Sequence, residues 1–243
     1  MTSTTIRIGC AGWQVPPDLS SQFADGASHL QRYATRFRCS EINSSFYRAH
    51  RPSTYEQWAD SVPEGFQFSV KMPKQVTHSS RLADLSSLAY FLDDIGPLGD
   101  RQGPLLMQLP PGFAFDPERV RSFLLALRFR WRGAVACEPR HTSWFGGEAD
   151  ALLAEYQVAR VAAHPGPVPA AETPGGWPGL VYYRLHGAPR MYYSAYDDAY
   201  LQRLAVELAG RAATAPVWCI FDNTATSAGI ANALHLLRLC QTT

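Results

Sequence analysis

Eight short apolar runs, separated by stretches of helical periodicity, constrain this chain more than any other feature. The runs are IRIGC (6–10), CSEIN (39–43), FQFSVKM (66–72), PLLMQL (104–109), GAVACE (133–138), ARVAA (159–163), VYYRLH (181–186) and VWCIFD (217–222). Helical patterns occupy 27–37, 53–60, 83–95, 117–128, 147–156, 197–212 and 226–240. Strands alternating with helices at this spacing build βαβ units and a parallel sheet. Eight of them in 243 residues predict an α/β fold, one (β/α)8 TIM-like barrel domain across 1–243 with its core at about 6–240. An open doubly wound sheet is the alternative. One unit breaks the pattern: HPGPVPAAETPGGWPG (164–179) is too rich in Pro and Gly to be a helix. A long loop is expected to replace or shorten the sixth helix.

Composition narrows the classes of partner. The net charge is +1 and the pI near 7.7, so bulk charge draws the chain to neither nucleic acid nor membrane. No apolar run approaches the ~20 residues of a membrane span. The start, MTSTTIRIGCAG, lacks the basic and apolar segments of a leader peptide. Five cysteines, none in a CxxC pair, read as buried free thiols. A cytoplasmic location is expected.

Residues two apart on a strand share a face. Gln67, Ser69 and Lys71 oppose Phe66, Phe68, Val70 and Met72; Tyr182, Arg184 and His186 oppose Val181, Tyr183 and Leu185. A sheet covered on both faces would be apolar throughout. These strands begin that way and turn half polar at their C-terminal ends. In a barrel the second face points to the axis and opens to solvent where active sites lie. Glu41, Asn43, Lys71, Gln108, Glu138, Arg140, Arg184, His186, Asp222 and Asn223 all fall there. A lone Arg–Glu pair or a lone strand-end His serves structure as readily as chemistry. Polar groups on six strand ends at one mouth point to a site, because burying them for packing alone is costly.

Glu41, Glu138, His186 and Asp222 are the catalytic candidates, since carboxylates and imidazole move protons. Lys71, Arg140 and Arg184 suit an anion. Asn43, Gln108 and Asn223 can orient a ligand, and Asn223, Thr224 or Thr226 can cap the last helix. His78, His141, Trp144 and Tyr192 complete the binding candidates; Trp13, Phe46, Tyr47, Tyr193 and Tyr196 add rings that either stack a ligand or roof the barrel. No nucleotide-cofactor motif is present, and no HExxH or GxSxG. The cofactor is unspecified. His78, His141, His186, Glu41, Glu138 and Asp222 include metal-ligand types, but their spacing does not demand a divalent metal; no metal ligand is assigned.

The ordered series GCAGW (9–13), EINSSFY (41–47), FSVKMP (68–73), TH (77–78), QLPP (108–111), EPRH with Trp144, YRLHG (183–187) and FDN (221–223) resembles the DUF72, or YecE-like, family. The resemblance implies a TIM-barrel fold and no assigned function. The family's likeness to the endonuclease IV barrel implies nucleic acid as an alternative partner. No trinuclear zinc set of that kind maps here. Pro139 stands where an aromatic is usual and should end the fifth strand at Glu138; Cys10 stands where a small hydroxyl residue is common.

Three functions follow as expectations. The first is an enzyme, hydrolase-like, acting on a small anionic or phosphate-containing molecule. The second is a nucleic-acid-binding or DNA-processing barrel, with Tyr192, Tyr193, Trp144 and Trp13 stacking bases and Arg190 and Lys74 on phosphates. The third is a non-catalytic anion sensor.

Overall fold

A computed structural model describes residues 5–242. The reading of the first residues as leader-free rests in part on residues 1–4, which lie outside the described residues. The strands are β1 (Ile6–Cys10), β2 (Cys39–Ile42), β3 (Gln67–Lys71), β4 (Gln102–Gln108), β5 (Val135–Glu138), β6 (Val158–Arg160), β7 (Ala162–His164), β8 (Gly175–Gly176), β9 (Val181–Leu185) and β10 (Val217–Phe221). The helices are α1 (His29–Ala34), α2 (Pro52–Asp60), α3 (Leu85–Ile95), α4 (Pro117–Arg130), α5 (Gly147–Glu155), α6 (Asp198–Ala212) and α7 (Ala228–Thr242). Their starts are chemically marked. Ser28, Asp84, Asp116 and Asp197 accept hydrogen bonds from the amides of Gln31, Ser87, Arg119 and Tyr200, satisfying first-turn donors.

Two sheets form, ordered β1–β10–β9–β7 and β2–β3–β4–β5–β6–β8. All strand pairs are parallel except β6–β8. The expected single closed (β/α)8 ladder is not formed. It is interrupted at two seams, and both have a side-chain or chain-path cause.

At the first seam, Gly9 faces the Cys39 carbonyl so closely that any Cβ would collide with it. The Tyr33 hydroxyl enters the gap, accepting from Cys10 N at 2.8 Å and donating to Cys39 O at 2.9 Å. A tyrosine hydroxyl thus stands in for a strand-to-strand bond. The Ser40 hydroxyl donates to Cys10 O at 3.0 Å, and the backbone pairing at this seam is the Ala11–Glu41 bridge, with Gly12 N donating to Glu41 O at 2.9 Å. At the second seam the run 159–163 divides at Val161. The Val161 amide still bonds Cys137 O at 2.8 Å, after which β7 pairs with β9.

The strand alternation separates two cores. Phe68, Val70, Leu105, Met107, Val135, Cys137, Cys219 and Phe221 face the helices. Cys39, Leu106, Ala136, Ala159, Ala163, Tyr182, Trp218 and Ile220 fill the axis. Trp218 lies parallel to Tyr182, ring centres 6.2 Å apart, and closes the floor. The five cysteines are free, four of them buried.

The Pro/Gly-rich loop takes the place of a sixth helix, as its composition requires. It contains a 3-10 turn at Pro169–Glu172 and the short β8. Buried Arg160 holds it, donating from Nε to Asp150 at 2.7 Å and from Nη1 to Ala170 O at 2.9 Å.

Tyr33→Phe keeps the ring's stacking on Phe37 but leaves Cys10 N–H and Cys39 C=O buried without partners. It should cost roughly 1–3 kcal/mol in urea denaturation; an unchanged midpoint would show that the hydroxyl does not hold the seam.

Candidate functional site

Arg184 occupies the centre of the mouth and is 1% exposed. Its Nε and Nη2 bond the two oxygens of Glu41 at 2.9 and 2.6 Å, a bidentate fork. Nη1 bonds Glu138 at 2.9 Å, and Nη2 lies 3.2 Å from Asp222. Beneath them the Tyr182 hydroxyl lies 3.1 Å from Glu41 and 2.8 Å from Ser69 Oγ. Burial alone would lower the Arg184 pKa, but Asp222, Glu41 and Glu138 hold it well above the usual value. Each nitrogen of this guanidinium is thus engaged by a carboxylate of the protein, in the place where a ligand anion is expected.

His186 stands beside this cluster, fully buried. Its Nδ1 is 3.0 Å from Asp222 Oδ2. Its Nε2 is 3.0 Å from Glu138 Oε1 and 2.9 Å from Arg140 Nη2. The neutral tautomer with Nδ1–H accepts from Arg140; the doubly protonated ring donates to both carboxylates. One nitrogen therefore faces both an acceptor and a donor, the geometry of a proton relay. Burial would raise the Glu138 carboxyl, yet Arg140, Arg184 and His186 hold it well below the usual range. Burial would likewise raise Asp222, and Arg184, His186 and Lys71 hold it down.

Arg140 forms the rim. The strand ends at Glu138, as Pro139 requires, and Arg140 folds back to bond Glu138 Oε1 at 2.5 Å. Its side chain is 14% exposed, and its buried Nε has no partner. It opens on a cleft of about 400 Å³ also lined by Gln108, Gly166, Met191 and Tyr192. Gln108 sits at the cleft wall, its amide donating to Leu109 O at 3.0 Å. Tyr192 has φ 69°, a left-handed conformation uncommon for a bulky side chain. That turn sets its ring edge-on to His186 with centres 5.8 Å apart.

Lys71, at the end of β3 on the axis face, is 6% exposed, with Nζ 4.2 Å from the Phe46 ring centre. Burial, then the Arg184 charge, push its pKa down to about 8 against Glu41, Asp222 and Glu138. Half-buried His78 packs edge-on to the same ring, its Nδ1 2.9 Å from Thr77 Oγ1. Burial and then Lys71, Lys74 and Arg140 hold it at about 4, so it is neutral at pH 7. Asn43 leads the turn after β2 with its buried Oδ1 unpartnered.

Other candidates take structural positions. Trp144 is fully buried: its Nε1 donates to Phe113 O at 2.9 Å and its ring packs against Phe113 and Phe115. The apolar surroundings of the indole correct the expected ligand-stacking role. His141 caps the turn at Thr142–Phe145 by accepting from Ser143 N at 3.2 Å. Asn223 meets α7 through its backbone, its carbonyl accepting from Gly229 N at 2.9 Å, while its side-chain Nδ2 bonds Ser194 O at 3.0 Å and Asn232 Oδ1 at 3.1 Å, pinning the loop that carries Tyr192. The Thr226 hydroxyl likewise bonds Tyr193 O at 2.9 Å. Trp13 packs on Trp58 and Phe68, and buried Tyr196 bonds His164 O at 2.9 Å. Sequence reasoning does not single out Tyr182, the hydroxyl partner of Glu41, or Ser69, which meets that same hydroxyl. The signal was present, since they share the faces of Arg184 and Lys71. Among the described residues, no group of three or more His, Cys, Asp or Glu side chains is arranged to hold a metal ion. No described helix is long and apolar enough to cross a membrane.

The sequence pattern of the family described as "Protein of unknown function DUF72" matches residues 7–243. The chain belongs to the DUF72 family. It is 30% identical over 175 residues to UPF0759 protein YecE of Escherichia coli (strain K12), covering 68% of this chain and 61% of YecE. It thus spans less than two thirds of that relative's length. A solved DUF72 family protein of Enterococcus faecalis V583 has a TM-score of 0.83 at 21% identity, covering 98% of this chain and 96% of that one. A xylose isomerase-like TIM barrel/4-hydroxyphenylpyruvate dioxygenase fusion protein reaches 0.52 at 14% identity, covering 97% of this chain and 42% of that one. At such identities the likeness shows the fold alone, and the fold is TIM-like.

Arg184→Met leaves buried Glu41 without its cation and takes one partner each from Glu138 and Asp222, and should cost roughly 3–5 kcal/mol in urea denaturation. A smaller loss would mean the cluster is locally rehydrated. Glu138 and Asp222 ionise below their ordinary 4.5 and 3.8. Their stabilisation is therefore complete above about pH 5 and is lost as pH falls through and below those values. Asp222→Asn should flatten the acid side of a Tm–pH curve; an unaltered acid side refutes the coupling.

Proposed function

We propose that the two sheets act together as one TIM-like (β/α)8 barrel domain, whose mouth is the site of an acid–base enzyme for a small anionic ligand. One observation carries this reading. Arg140 touches both Glu138 and His186, while its buried Nε lacks a partner beside an open cleft. An unsatisfied buried donor is costly, and an anion in the cleft would satisfy it. Gln108 and Tyr192 would orient that ligand from the cleft walls.

His186 is the acid–base group, oriented by Asp222 through Nδ1 as a catalytic imidazole must be. Its Nε2 would take a proton from a ligand or from an activated water, the hydrolase-like step. Glu138 then stabilises the charged ring at 3.0 Å. Tyr192 covers His186 and belongs to the loop that must shift for the ring to meet a ligand. Glu41 and Arg184 hold these groups in place. A second reading, nucleic acid, is favoured by the exposed Tyr192 and Tyr193 with the Arg190 guanidinium 3.9 Å from the Tyr193 ring centre.

Thermal melts with phosphorylated metabolites, sugar acids and short oligonucleotides separate the readings. A small anion at ~100 times its Kd should add about 2.7 kcal/mol of stability. The shift should vanish in Arg140→Ala. An equal shift in that variant overturns the anion assignment. A shift with oligonucleotides alone, fading as salt rises, favours the second reading.

A further inference from the structure

Arginine supplies nearly all of the cationic side chains in this protein. Of 22 Lys and Arg residues, only Lys71 and Lys74 are lysines. A guanidinium keeps its proton in any ordinary site, whereas an ammonium can give one up and become a nucleophile. Lys74 is exposed, and Lys71 is buried at the end of β3 on the axis face.

The surroundings of Lys71 are unusual for a buried cation. Glu41 from β2, Glu138 from β5 and Asp222 after β10 act on it at a distance, but each is engaged by Arg184, Arg140 or His186. Among the described residues, Lys71 makes no ion pair. The neighbour that meets its Nζ is the Phe46 face, which offers no oxygen acceptor. Neutral His78 lies on the edge of that same ring. With its pKa pushed to about 8, Lys71 carries a free amine in roughly one molecule in ten at pH 7. A point charge needed only for structure would be better placed against one of the three carboxylates.

We propose that Lys71 is an amine nucleophile and that the mouth takes a small anion bearing an aldehyde or ketone, which Lys71 captures as an imine. This rests on the anion reading and names the substrate class of that site. The Nζ lone pair forms a bond to the carbonyl carbon, and the carbonyl π pair moves to oxygen. A proton passes from nitrogen to oxygen, giving a carbinolamine. Protonation of its hydroxyl releases water as the nitrogen lone pair closes the C=N bond. No oxidant or reductant is consumed. Arg140 holds the ligand's negative charge, and the His186 relay supplies and removes protons around the adduct.

The scarcity of lysine makes the test direct in wild-type protein. The protein is incubated with glyoxylate or pyruvate and sodium cyanoborohydride, which reduces an imine to a stable secondary amine. Peptide masses then report adducts at Lys71 and Lys74. Lys71 should label faster than Lys74 at pH 7 by roughly a factor of ten or more, the rate levelling off above about pH 8. Arg140→Ala should slow labelling at Lys71 and leave Lys74 unchanged. Equal labelling, or labelling of Lys74 alone with both probes, overturns the proposal. If Lys71 stays unlabelled while an anion still raises the Tm through Arg140, the imine falls and the anion site stands. If neither occurs, both fall.

Discussion

A guanidinium surrounded by three buried carboxylates is an expensive object. Taking each ion out of water costs several kcal/mol, recovered only when every partner is held in place. Here the partners come from both sheets. Arg184 belongs to the sheet of β1, β10, β9 and β7, while Glu41 and Glu138 belong to the other. The Tyr182 hydroxyl makes a second crossing to Glu41 and Ser69. Where the backbone ladder fails to close, side-chain electrostatics bind the halves. The low dielectric that makes the cluster costly also makes it stiff.

That stiffness sorts the polar residues into two groups. Glu41, Arg184 and Tyr182 are satisfied by one another and face no cleft. Arg140, Gln108 and Tyr192 line the open cleft, and Lys71 lies buried on the axis face without an ion pair among the described residues. His186 lies between the groups, fixed through Asp222 and open to change at Nε2. Three carboxylates face two guanidinium groups, which leaves one negative charge to balance. Lys71, on the same axis face, is the cation that offsets it at a distance.

The strands and helices were legible because their periodicity is physical: alternation of two separated an axis face from a helix face, and the two observed cores divide along that line. The missing helix was legible in its prolines. The seams were not, because no local pattern says that Tyr33 will enter the space left by Gly9. The convergence of charges at the mouth was legible, but their pairing was not. Sequence places Arg184 on the right face without showing that three carboxylates engage it. Trp144 shows the same limit, since a ring after a strand end can roof a pocket or sit beneath one, and the neighbours that decide, Phe113 and Phe115, come from another loop. His141 and Asn223 were read as ligand groups because capping a turn and pinning a loop use the same atoms as binding.

Trp218 and Tyr182 seal the axis from below, and Gly103 on β4 leaves the space that the indole fills. The space along the axis is therefore closed on that side, a blind well rather than a tunnel. Whatever reaches the charged layer must leave by the opening through which it came, so arrivals queue behind departures. Under the proposed reading, a spent molecule held near Arg140 would obstruct its successor, and turnover would depend on how readily the loop around Tyr192 lets the previous occupant go.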